Sequence, residues 1–210
     1  MYTFRALIFV GIISLSTCRP EIQSQPQEQQ QTKPNPLLNC PNIPAKQQFN
    51  ATAYFHDVWH VVHSFNPDLP SNKSEDKTTC VKLTSQILEN ASVKLFYTQL
   101  IRQSELHTEW ITNLDDLQNG VGKFVSERID KEDDPPRPLS PLHTTVIDTD
   151  YSNYAVEHKC VAFRKGLFSG YLILNRKPNT LDPNVEPLLN KLELKLQDFI
   201  LLSKPGCAEA

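Results

Sequence analysis

The chain has 210 residues, of which 39% are hydrophobic and 21% charged, with a formal net charge of −3. That mild acidity, without a basic stripe, excludes the electrostatic footprint of a nucleic-acid-binding surface.

Residues 1–18 carry a single charge, Arg5, followed by an apolar run from Ala6 to Leu15. This is an h-region of secretory length, too short to span a bilayer. Ser16 and Cys18 suit the small positions before a cleavage site, so residues 1–18 read as a signal peptide cut near Cys18. No later stretch is apolar enough for a membrane span, and the mature chain is expected to be secreted and soluble. Residues 19–38 hold six glutamines and four prolines with almost no large apolar side chains. Such a segment buries too little surface to offset its ordering entropy, so 19–39 reads as a disordered leader. Residues 40–210 then form one folded domain of about 170 residues, enough for a single core.

The first strand is expected over 58–65, with Trp59, Val61 and His63 on one face and His60, Val62 and Ser64 on the other. Residues 66–76 form a proline-broken polar loop containing Asp68. A second strand begins near Cys80. The third, over 93–101, sets Val93, Leu95, Tyr97 and Gln99 against Lys94, Phe96, Thr98 and Leu100. Residues 106–112 and 121–129 follow as the fourth and fifth strands, and the acidic, proline-rich stretch 130–141 reads as a long exposed loop. Three further strand-length runs, 144–151, 153–160 and 171–176, make an antiparallel meander. Eight strands is the number that closes a barrel around one small ligand. After them Asp182 reads as a helix N-cap with Pro183 at the first helical position. Val185, Leu188, Leu189, Leu192, Leu196, Phe199 and Ile200 form one apolar stripe, and Pro205-Gly206 stops the helix.

Cys40, Cys80, Cys160 and Cys207 remain after the signal, and an even number in a secreted chain argues for two disulfides, with three pairings open. A metal site is not expected. No Cys-x-x-Cys occurs, and His60 and His63 point to opposite faces of a strand. No nucleophile–base signature is present, so the chain does not read as an enzyme. Asn50, Asn72 and Asn90 stand in glycosylation sequons close to expected loops.

Asp57-Val-Trp59, Thr149-Asp-Tyr151 with Tyr154, Leu174-Asn-Arg176, Asp198-Phe-Ile200 and the cysteine spacings of 40, 80 and 47 occur in an order that resembles lipocalins. The likeness is to the nitrophorin or triabin-like branch, secreted in the saliva of blood-feeding insects. One departure is Asp57-Val58 where the signature has a glycine before the tryptophan. The resemblance implies an all-β, eight-stranded antiparallel up-and-down barrel with a C-terminal α-helix packed on its outside, and a short helical approach over 49–55. It implies Trp59 packed under Arg176 to close the narrow end, and disulfides Cys40–Cys160 and Cys80–Cys207.

In that branch haem iron is held by a histidine eighteen residues beyond the second cysteine, which here is Thr98. A neutral hydroxyl does not replace imidazole on haem iron, so no haem or other cofactor is expected. The implied function is sequestration of a small host mediator, a biogenic amine or an eicosanoid, as an anti-haemostatic and anti-inflammatory scavenger. The alternative is a barrel scaffold, expected as a monomer like the carrier, whose loops inhibit a clotting protease or platelet activation. Candidate ligand residues are Asp68, His63, Val61, Tyr97 and Thr98. Asp68 is chosen because the branch holds histamine through an aspartate seven residues after the tryptophan, which here is Asn66. Asp68, two positions on, is the nearest carboxylate to offset the lost hydration of an ammonium.

Overall fold

The alternating runs pair into strands, and the strands close on themselves. A computed structural model describes residues 40–67, 79–101, 104–117, 119–130, 138–164, 166–203 and 207, all within one compact unit, Pro34–Ala210. The expected signal and leader, Asp68 and Asn72 lie outside the described residues. The strands are β1 (Trp59–Phe65), β2 (Thr79–Ile87), β3 (Ser92–Ile101), β4 (Ser104–Asn113), β5 (Lys123–Ile129), β6 (Leu142–Thr149), β7 (Tyr154–Phe163), β8 (Gly166–Asn175) and a short β9 (Ile200–Leu201). Consecutive neighbours pair antiparallel from β2 to β8, β8 pairs with β1, and β1 returns to β2. This is an eight-stranded antiparallel up-and-down barrel with one added edge strand.

Two apolar layers follow from the period of two. The inner one gathers Trp59, Val61, Leu83, Val93, Leu95, Trp110, Phe124, Val146, Ala155 and Leu174. The outer one gathers Val62, Tyr154, Val156 and Ile173 beneath Val185, Leu189 and Phe199. The β7–β8 hairpin is longer than expected, running on through Phe163 and restarting at Gly166. Gly170, just before the expected strand start at 171, lies mid-strand opposite Lys159. A Cβ there would stand 2.8 Å from the Phe65 carbonyl, so the glycine marks close approach to β1. β5 starts later than expected, because Val121 is bridged to Gln47.

A bulge in β1 corrects the expected facing of His63. Val61 lies opposite Leu174, Val62 is the extra residue, and His63 lies opposite Ile173. Ile173 belongs to the outer layer, so His63 turns outward, where it also pairs with Leu201 of β9. The extra residue shifts the alternation by one, which period-two counting does not reveal.

The C-terminal helix is the second correction. α2 spans only Val185–Lys191, with Asn184 rather than Asp182 as its N-cap residue. Glu193 adopts φ +60°, Glu193 N–H donates to the Asn190 carbonyl, and Leu194 N–H donates to that of Leu189. This Schellman closure ends the helix without a glycine. The apolar stripe continues past it as a 3-10 turn, Leu196–Asp198. Phe199 is thereby buried on the outer layer, and β9 pairs with the part of β1 that β2 leaves free.

Cys40 is bonded to Cys160 and Cys80 to Cys207, with Cα separations of 5.8 and 5.4 Å. These are the pairs implied by the resemblance. Non-reducing peptide mapping should recover both links, whereas a Cys40–Cys80 peptide would contradict them. Asn50 and Asn90 are exposed, the first as N-cap of the short helix α1 (Ala51–Tyr54) and the second in the β2–β3 turn.

Candidate functional site

The narrow end of the barrel is built around one cation. The Arg176 guanidinium carbon lies 3.5 Å from the centre of the Trp59 ring system, and the tryptophan is 1% exposed. Arg176 Nε donates to the Tyr151 carbonyl (3.1 Å) and Nη2 to that of Tyr54 (3.2 Å). The Trp59 indole N–H donates to the same Tyr54 carbonyl, at 3.0 Å. In the Thr149-Asp-Tyr151 turn, burial works against the Asp150 carboxylate. Hydrogen bonds from Asn153, Tyr154 and Ser152 outweigh it and hold its pKa below the ordinary value. These residues close the floor and leave the opposite end as the mouth.

Above the floor, β7 turns Glu157 and Lys159 inward, between Ala155 and Val161. Both are buried, at 0% and 4% exposure. Lys159 Nζ sits among three oxygens. It lies 3.0 Å from Glu157 Oε2, donates to the Tyr97 hydroxyl at 2.6 Å, and donates to Thr144 Oγ1 at 3.3 Å. Tyr54 donates its hydroxyl to Glu157 Oε1. Burial pulls the Lys159 pKa down, but Glu157 and Tyr97 prevail and leave it raised, so the ammonium persists at neutral pH. Burial pushes Tyr97 up against the pull of Lys159. Burial and Glu157 push Tyr54 well up.

Nearer the mouth the inward wall mixes apolar and polar side chains. Val81, Tyr97, Phe168 and Leu172 pack on the inner layer while only partly buried. Ser126 lies opposite the inward Leu142. It is wholly buried, and its hydroxyl has no partner among the described residues. Arg128, opposite the inward Trp110, is also buried, with Nε 3.7 Å from Asp130.

Of the candidates named from sequence, Tyr97 reaches this cluster and Val61 lies in the packed inner layer. Thr98 does not face in. Alternation along β3 turns it outward, and its hydroxyl meets His107 Nδ1 at 3.2 Å on the exposed face. His63 is outside by the bulge, and Asp68 is outside the described residues. Glu157, Lys159, Ser126 and Thr144 were not singled out from sequence. The signal available was Glu157 and Lys159 two apart, in phase with Ala155 and Val161.

The family model described as Nitrophorin matches residues 40–210. The chain belongs to the nitrophorin family. Triafestin-1 of Triatoma infestans is 41% identical over 212 residues, covering 95% of this chain and 89% of that protein. Pallidipin of Meccus pallidipennis is 35% identical over a shorter match of 66 residues, 31% of this chain and 35% of pallidipin. Among solved structures, a biogenic amine-binding protein, studied as its selenomethionine derivative, superposes with TM-score 0.63 at 20% identity. That match covers 78% of this chain and 86% of the other, and it carries the fold alone.

The family implies haem, and the donor set here does not fit a histidine-bound one. None of the six histidines turns into the barrel. His56 precedes β1, and His60, on the face opposite Trp59 and Val61, points out. His63 follows the bulge, and His107 lies with Thr98. His143 and His158 alternate with the inward Thr144, Glu157 and Lys159. On β3 the Tyr97 phenol and the Gln99 amide share the inward face, and the phenol already accepts from Lys159.

Proposed function

We propose that this nitrophorin-family chain is a secreted carrier that sequesters a small mediator inside its barrel. The observation that supports this most directly is the partly buried apolar wall above the Tyr97–Lys159–Glu157 cluster. An apolar cavity wall with a few convergent polar groups is the usual composition of a small-molecule site. Two disulfides suit an oxidising, extracellular compartment, in keeping with the signal read over 1–18. The amine-binding protein of similar fold supports a small ligand in the barrel by analogy. An anti-haemostatic role for the sequestration is part of the proposal and rests on the resemblance to salivary lipocalins.

Native mass spectrometry of the secreted protein is the first test. A complex of one small molecule per chain is expected, either co-purified or formed on adding an amine or a fatty-acid-derived mediator. Calorimetry with histamine, serotonin and noradrenaline, repeated on Asp68→Asn, tests the mouth carboxylate. Loss of amine binding in that variant would support Asp68. A chain that takes up no member of either class at micromolar concentration is not a carrier of this kind.

A further inference from the structure

Resting on the carrier reading, we infer that the barrel selects its ligand by an oxygen acceptor, a carboxylate or carbonyl at the end of an apolar body, and disfavours an ammonium. The argument starts from proton counting around Lys159. Two of its three N–H groups donate to Tyr97 and Thr144, and the charge is paired at 3.0 Å with Glu157 Oε2, which accepts no hydrogen bond among the described residues. Tyr97 and Thr144 each spend an oxygen lone pair on the ammonium and keep their own O–H protons. No acceptor for either proton occurs among the described residues. A hydroxyl that accepts from a cation is polarised to donate more strongly, so the lysine charge is passed on through the two hydroxyls.

Ser126 is the independent observation. Phe124 lies opposite Thr144 and Ser126 opposite Leu142, which sets Ser126 one ladder step nearer the mouth on the same inward face. Its wholly buried hydroxyl lacks any partner among the described residues. A buried hydroxyl without a partner is costly, and on the inward face of the barrel it offers a donor to a ligand oxygen. Tyr97 is the member of the set that is only partly buried, on the apolar wall formed with Val81, Phe168 and Leu172. The site therefore offers three O–H donors on an inward face that is mixed toward the mouth, with Gln99 opposite Val81 and Arg128 opposite Trp110. The one carboxylate at this level, Glu157, accepts from Tyr54 through Oε1 and is charge-paired with Lys159 through Oε2, which takes no hydrogen bond among the described residues. A ligand ammonium would meet the like charge of Lys159 one hydroxyl away.

The test is displacement of cis-parinaric acid from the whole secreted protein by three ligands of one chain length: palmitic acid, methyl palmitate and hexadecylamine. The expected order of affinity is acid, then ester, then amine, with acid and amine at least about 10-fold apart, as for one charge-assisted hydrogen bond. Tyr97→Phe keeps the ring and should weaken the acid about 10-fold, again one hydrogen bond, while leaving the amine unchanged. Ser126→Ala serves as a second variant and should weaken the acid several-fold. Amine binding as tight as acid, or acid affinity unmoved in both variants, overturns the inference. Failure of the wild-type chain to take up the probe or any of the three ligands overturns the carrier reading itself.

Discussion

Trp59→Ala is expected to lower the unfolding free energy by about 3–5 kcal/mol, the range for emptying a buried aromatic site. The tryptophan is 1% exposed and lies between Arg176 and the inner layer, with its ring 5.6 Å from that of Tyr54. For a domain of this size each kcal/mol corresponds to roughly 2–4 °C, so a fall of about 10 °C in Tm is the expected reading. Arg176→Ala should cost less, about 2–3 kcal/mol, because Arg176 is half-buried, although the Tyr151 and Tyr54 carbonyls lose a donor. The double variant should lose less than the sum of the two, since the stacked cation and ring share one contact. Additive losses in urea melts would mean that Arg176 acts through its backbone bonds alone. Neither change should alter which head group the barrel prefers, because both residues belong to the floor.

Alternation carries the fold far. The inward set Val93, Leu95, Tyr97 is readable from residues two apart, and the turn residues of Thr149-Asp-Tyr151 announce a tight corner. What alternation does not carry is any event that changes phase. The β1 bulge at Val62 moved His63 from the cavity to the outer layer without leaving a glycine or proline to mark it. The early stop of α2 was hidden for a similar reason. Glu193 takes the left-handed conformation usually given to glycine, while the apolar stripe runs on through Leu196 and Phe199. The inward polar cluster was only half legible. Tyr97 follows from its strand, but Lys159 and Glu157 are residues that sequence alone assigns to water, and only the pairing of β7 with β6 and β8 turns them inward.

The Glu157–Lys159 pair should show the asymmetry of buried charge. Glu157→Gln keeps an acceptor for the Tyr54 hydroxyl but leaves a buried ammonium without its counter-charge. Lys159→Met leaves a buried carboxylate. Each single change is expected to cost about 3–5 kcal/mol, whereas the double change removes both charges and should return close to wild-type stability. A double variant as unstable as the sum of the singles would show that the two charges are not coupled and that each loss comes from that side chain's other contacts. The pH dependence has a definite sign. Lys159 has a folded pKa above its ordinary 10.5, so its stabilising share is complete below that value and is lost as pH rises through the raised one. Stability of the double variant should therefore lack that alkaline loss. The same variant separates structure from recognition. It should fold while its Tyr97 hydroxyl is no longer backed by a cation, so the preference for palmitic acid over hexadecylamine should shrink. A preference that survives in a stable Glu157→Gln/Lys159→Met chain would place the selectivity with Ser126 and Arg128, nearer the mouth, and not with the lysine.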